Sequence, residues 1–200
     1  MVKFGNLPKA KLKMSKIGRQ PITIPKGVNL TIEPGQITVT GPRGVLKLPL
    51  PEFIAPQLQA GKLIVLRRRN DKKTKSNHGT TRSLINNMII GVVKGWEKEL
   101  QVVGAGYKVN LEGDKLVFKL GFSHPVIVSS PEGIKFEVAE NKVKIVGLDK
   151  ELVGNTAAKI RKIRPPDVYK GKGIRYVNEV VKLKPGKAAK AGAAGGQEYA

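Results

Sequence analysis

One stretch of the chain, IPKGVNLTIEPGQITVTGPRG from Ile24, lies without a gap over a second, SPEGIKFEVAENKVKIVGLDK from Ser130. Turn residues match turn residues: Pro25 falls on Pro131, Gly27 on Gly133 and Gly41 on Gly147. Apolar positions match too, Val28 on Ile134, Leu30 on Phe136, Ile32 on Val138, Ile37 on Val143 and Val39 on Ile145. An internal repeat constrains a fold more than any single motif, because each copy has to be one supersecondary unit. Both copies alternate apolar and polar residues on either side of a short turn, EPGQ in one and AENK in the other. A period of two puts one side of a strand on a core and the other in water, so each copy reads as a half-buried antiparallel hairpin.

Each hairpin is followed, at a different distance, by a helical pattern. After the first come strand signals in GVLKLPL and KLIVLRR, and then GTTRSLINNMIIGVVKGW, where Leu84, Ile85, Met88 and Ile89 fall at helical spacing. After the second, DKELVGNTAAKIRKI puts Leu152, Val153, Thr156, Ile160 and Ile163 on one face. A strand pair in KELQVVGAGYKVNLEGDKLVFKLG, turning at Glu112 to Asp114, precedes the second copy. The expected architecture is α+β: two similar small domains from an internal duplication, each an antiparallel-rich sheet packed on a helix. The expected divisions are a basic N-terminal arm (1–19), a first domain (20–96), a second domain (97–166), a basic extension (167–187) and a low-complexity tail (188–200). The arm carries Lys3, Lys9, Lys11, Lys13, Lys16 and Arg19 without an acid, and the tail KAAKAGAAGGQEYA offers nothing for a core.

Charge decides the class of partner. Lys and Arg number 37 against 15 Asp and Glu, a formal +22, and such a chain repels itself until a polyanion neutralises it. Nucleic acid fits better than an anionic membrane, because no helical pattern sets a basic face against a broad Trp/Phe/Leu face. With no cysteine, disulfides, thiolate metal sites and cysteine nucleophiles are excluded. The first residues hold no apolar run long enough for a signal peptide, and MIIGVV is too short to span a bilayer, so the expectation is a soluble intracellular protein, cytoplasmic or in an organelle.

Enzyme motifs fail on particular residues. GAGYKV opens like a dinucleotide fingerprint, but Val109 stands where the third glycine belongs and a strand follows; its glycines read as a bulge or a close backbone approach. In YKGKG, Gly173 follows Lys172 where a phosphate loop needs Ser or Thr. His78 and His124 lack a second ligand at metal spacing and read as residues of polar turns. No catalytic residue, metal site, cofactor or small-molecule substrate is expected.

Two basic clusters remain. RRRNDKKTKSNHGTTR brings seven cations from Arg67 to Arg82 and reads as a loop between a strand and a helix, solvated as readily as bound. RPPDVYKGKGIRY, Arg164 to Tyr176, is more specific. Gly171 and Gly173 allow close backbone approach to phosphates, Lys170, Lys172 and Arg175 neutralise them, and Tyr169 and Tyr176 supply rings and hydroxyls for bases and riboses. Pro165 and Pro166 stop the helix before it, whose Lys159, Arg161, Lys162 and Arg164 extend the basic patch. The segment is expected to bury little, and Gly173 to serve RNA contact rather than the fold.

PDVYKGKGIRY resembles the signature of bacterial-type large-subunit ribosomal protein six, the L-six family. MSKIGRQPITIP from Met14, LINNMIIGV, QVVGAGY and LGFSHPV are similar to that family in the same order, over about Met14 to Lys187. The resemblance implies two α+β domains from a duplication. It also implies a non-enzymatic role binding large-subunit rRNA near the factor-binding, sarcin-ricin region, beside neighbouring ribosomal proteins. It assigns RNA contact to Tyr169, Lys170, Gly171, Lys172, Gly173, Arg175 and Tyr176, and places the turn Gly121, Phe122, Ser123, His124 and Pro125 beside the RNA. The thirteen residues before Met14 exceed the family's usual start, so they are either a genuine arm or Met14 is the initiator. The rival reading is a non-ribosomal RNA chaperone or RNA-processing enzyme.

Overall fold

In the computed structural model the described residues are 16–59 and 61–185; most of the expected arm, the question of Met14 and the whole tail 188–200 lie outside them. Spatial contacts divide the chain into two units, one ending at Lys94 and the other starting at Gly95.

The first unit runs β1 (Ile22–Thr23), β2 (Asn29–Glu33), β3 (Gln36–Gly41), β4 (Gly44–Pro49), β5 (Ile54–Gln59), β6 (Lys62–Arg67) and α1 (Lys72–Val93). Its strands form two antiparallel sheets, β2-β3-β4 and β1-β6-β5. The apolar faces of both, including Ile37, Val39, Leu63 and Val65, close on Ile85, Ile89 and Val92 of α1. Pro56 is compatible with strand pairing because β5 is an edge, where its missing N–H breaks no ladder.

The second unit runs β7 (Trp96–Val103), β8 (Lys108–Glu112), β9 (Lys115–Lys119), β10 (Val126–Ser129), β11 (Ile134–Ala139), β12 (Lys142–Gly147), α2 (Lys150–Ile163) and β13 (Gly173–Tyr176). Here the sheets are β8-β9-β10 and β11-β12-β7-β13. Their inner faces, with Leu100, Leu116, Phe118, Val143 and Ile145, pack with Val153, Ala157 and Ile160 of α2. Both units are α+β, as expected.

The duplication is real, but its phase is not the one the gapless repeat implies. A meander of three strands, a hairpin and a helix follow one another in both units, so β2-β3-β4 corresponds to β8-β9-β10, β5-β6 to β11-β12 and α1 to α2. Thus β2-β3 and β11-β12, which the sequences align, are not counterparts. They match because they are the same local object: Leu30 faces Val39 as Phe136 faces Ile145, with the same register and a turn of the same length. Alternating residues around a tight turn specify a hairpin, not its place in the fold. Among the described residues β13 has no counterpart in the first unit.

Two further expectations are corrected. The stretch QVVGAGYKV is not continuous strand; Gly104 to Tyr107 turns the chain from β7 in one sheet to β8 in the other. And α1 begins at Lys72, seven residues before the expected GTTR, so much of the supposed basic loop is helix. Asp71 caps it, its carboxylate accepting from Thr74 N–H at 3.1 Å, and hydrogen bonding from Thr74, its side chain first and this N–H second, holds the Asp71 carboxyl below its ordinary pKa. The buried stripe of α1 runs through Thr74, His78, Thr81, Ile85, Ile89 and Val92. Its first half is polar, so apolar periodicity misses it. His78 is not in a turn: it is fully buried, and its Nε2–H donates to Val65 O at 2.8 Å.

Candidate nucleic-acid interface

α2 ends at Ile163, with Arg164 as its C-cap before Pro165 and Pro166, and β13 begins at Gly173. Between them the chain is held at several points. Ile174 N–H donates to Arg164 O (2.8 Å), Asp167 N–H to Lys172 O (2.9 Å) and Gly171 N–H to Asp167 O (2.9 Å). The Asp167 carboxylate accepts from Lys170 N–H at 3.0 Å, and Lys184 N–H from the returning chain donates to Val168 O at 2.8 Å. The loop is therefore a fixed shape. Its tip, Val168, Tyr169 and Lys170, faces solvent, with Tyr169 59% exposed; Lys172 is half-buried.

The glycines have different tasks. Gly171 sits at φ +67°, where only Leu183 would approach a Cβ, at 3.6 Å. Gly173 sits at φ +144° and is buried; a Cβ there would lie 2.5 Å from Pro165 O and 2.8 Å from Pro166 Cα. The next residue, Ile174, is wholly buried in the core, and β13 pairs with β7 from Gly173–Val103 to Tyr176–Leu100. The expectation that this segment buries little is thus wrong for its second half. Gly173 has no room for RNA or for a side chain: it serves the fold.

The cations also divide. Arg161 donates through Nε to Glu179 Oε2 at 2.9 Å and through Nη2 to Oε1. The pairing raises the Arg161 pKa and lowers that of Glu179, whose carboxylate also accepts from Tyr176 N–H at 3.2 Å. Arg161 therefore ties β13 to α2 and offers little charge outward. Arg175 is half-buried, its Nη2 donating to Gln101 Oε1 at 3.3 Å. The half-buried Tyr176 ring lies 5.8 Å from the Arg161 guanidinium and 5.9 Å from Lys98 Nζ. Lys159, Lys162, Lys182 and Lys184 are exposed.

Arg164 brings a second segment to the same surface. Its guanidinium lies 4.9 Å over the Phe122 ring and 5.6 Å from the Tyr107 ring, joining the end of α2 to the turn that carries the exposed Ser123 and His124. Tyr107 is the residue that sequence reasoning missed. Its contact with Arg164 joins positions far apart in the chain, and no local spacing signals it.

In the first unit, the cluster from Arg67 to Arg82 is not one patch. Arg67 is buried and donates to Asn70 Oδ1 at 2.8 Å, and Arg69 lies 5.2 Å over Phe53. Lys72 and Lys75 line a shallow groove with Ile17, Ser76 and Gly79.

Comparison with known proteins gives two matches along the chain, residues 24–95 and 103–177, to the family described as Ribosomal protein L6. Their spacing follows the phase of the duplication seen in the sheets. The large ribosomal subunit protein uL6 of Syntrophomonas wolfei is 51% identical over 176 residues, covering 88% of this chain and 98% of its own. That of Caldicellulosiruptor bescii is 50% identical over 181 residues (90% and 99%), and that of Chloroflexus aggregans 49% over 188 (89% and 100%). With both units matched and half the residues shared along nearly the full length of these relatives, the chain belongs to the ribosomal protein L6 family.

Proposed function

We propose that the chain is a structural, non-enzymatic constituent of the large ribosomal subunit, anchored to large-subunit rRNA through its second unit, near the factor-binding, sarcin-ricin region. The observation that carries the RNA contact is the loop Pro165–Lys172, fixed by backbone hydrogen bonds while Tyr169 and Lys170 point outward. A loop ordered without a partner costs less to order on binding, and its cations sit where phosphates release counterions. Tyr169, Lys170, Lys172, Arg164, Ser123 and His124 make the contact. Gly171 shapes it, and Gly173, Arg161, Arg175 and Tyr176 hold it in place. The cytoplasm, as the site of the ribosome, is the proposed location.

Two measurements test this. The full chain should co-sediment with large subunits after a moderate-salt wash, and its addition to subunits lacking it should protect nucleotides at the sarcin-ricin stem from chemical probes. Release by the wash would refute the structural role; protection confined to another rRNA region would refute the location alone.

A further inference from the structure

The contact between Arg164 and Phe122 exceeds what the fold requires, and the first unit shows why. There the corresponding junction, between the end of α1 and the β3–β4 turn, is closed compactly. Only Pro42 and Arg43 separate the strands, Arg43 N–H donates to Val92 O at 3.1 Å, and a Cβ on Gly41 would meet Val92 Cγ2 at 2.6 Å. In the second unit the β9–β10 turn runs from Leu120 to Pro125, and it leaves Phe122 41% exposed beneath the Arg164 guanidinium.

The assembly is braced from behind. The Tyr107 ring fills the space where Gly104 would carry a side chain, with a Cβ there 2.7 Å from Cδ2, and it lies 3.4 Å from the corresponding position of Gly121. Both glycines have positive φ, +154° and +75°, which other residues rarely adopt. The Arg164 guanidinium thus joins two rings, of which Tyr107 is pinned from behind and Phe122 stays partly exposed.

Charge beside the stack identifies what it takes. Lys108, next to Tyr107, and Lys119, just before the turn, stand directly opposite each other in the β8–β9 ladder, both exposed and neither in an ion pair among the described residues. Like charges directly opposite destabilise a sheet, so an anion bound here would relieve this pair. A partly exposed aromatic ring, a planar guanidinium and repelling lysines are together complementary to a nucleic acid: rings to a base, cations to its phosphates. A stacked duplex offers no ring face, whereas a loop or bulge does.

We propose that Phe122, held by Arg164 and Tyr107, is a stacking platform for one unpaired base of the bound RNA. This rests on the rRNA-binding reading and adds a base contact to it. The test uses the full chain and a large-subunit rRNA transcript, comparing wild type with Phe122→Leu, Phe122→Tyr and Arg164→Lys. Phe122→Leu keeps an apolar side chain but loses the ring face, and affinity should fall about 5- to 100-fold. The salt slope should stay as in wild type, since no phosphate contact is removed. Phe122→Tyr should retain affinity, and Arg164→Lys, which keeps the charge but not the plane, should lose it. Equal affinity of Phe122→Leu and wild type overturns the platform. So does a loss accompanied by a changed salt slope or a lowered melting temperature, and so does unchanged RNA affinity with poorer retention on subunits, which would assign Phe122 to a protein neighbour. A wild-type chain that does not bind the transcript refutes the rRNA reading itself.

Discussion

Replacing Gly173 by alanine adds one methyl group and removes no charge, yet it should unfold the second unit readily. At φ +144° a residue with a side chain is strained by about 1–3 kcal/mol. The new Cβ would also sit 2.5 Å from Pro165 O, well inside contact distance. Neither neighbour yields easily: Arg164 O is tied to Ile174 N–H at 2.8 Å, and β13 is registered on β7 through a fully buried Ile174. Overpacking of this kind adds about 1–3 kcal/mol. A combined cost of about 3 kcal/mol lowers the melting temperature of a unit this size by roughly 12–24 °C. Trp96, the only tryptophan, lies in β7, so its fluorescence reports the second unit. Gly171→Ala is the matched control, because its Cβ meets nothing closer than 3.6 Å and only the left-handed φ is penalised, at about 1 kcal/mol. A Trp96 transition for Gly173→Ala that is unmoved, or lowered no further than that of Gly171→Ala, refutes the reasoning.

Other expectations follow from the same contacts. Glu179, whose carboxyl is held below its ordinary value of 4.5 by the Arg161 hydrogen bond, contributes stability that is complete above about that pH and is lost as the pH falls through its lower folded value. Thermal melts of Glu179→Gln should therefore differ from wild type at neutral pH and converge with it in acid; a constant difference would exclude the ion pair as the cause. His78→Ala, which empties a fully buried site and leaves Val65 O without its donor, should cost the first unit about 2–4 kcal/mol in denaturant unfolding, with little change at Trp96. Lys170→Ala with Lys172→Ala should weaken RNA binding more than Lys73→Ala with Lys75→Ala, and reduce the salt slope by about 1 to 2, as read by filter binding at several salt concentrations.

The parts of the fold legible in sequence are those in which side-chain chemistry and periodicity agree. The stripe Val153, Thr156 and Ile160 declared α2, and alternation declared β3, β8, β9 and β12. Where they disagree, legibility fails. Thr74, His78 and Thr81 are buried by hydrogen bonding and close packing rather than by apolarity, so the first turns of α1 read as a solvated basic loop. The repeat shows a different limit: hairpins of equal length and register carry equal patterns, and only strand pairing distinguishes a true counterpart from a local copy. At the candidate interface the composition of YKGKGIRY pointed to a loop whose tip the fold leaves facing solvent. It did not separate Lys170, which faces out, from Gly173 and Ile174, which face in, because the division depends on β13 joining β7. The pairings Arg161–Glu179 and Arg164–Phe122 join separate elements, and nothing in either segment alone announces them.

β13 also sets a condition on synthesis. It is the last strand among the described residues, it follows the solvent-facing loop, and it covers the side of β7 that β12 leaves unpaired. A ribosome making this chain releases the loop residues before the strand that closes them, so the loop acquires its full shape only once β13 and the returning chain to Lys184 have emerged. A chain cut short anywhere before Gly173 lacks that closure and also bares the β7 edge, which invites pairing with other chains. Completeness is thereby coupled to the loop's shape: a truncated product lacks the closed loop and presents an unpaired edge to its own kind.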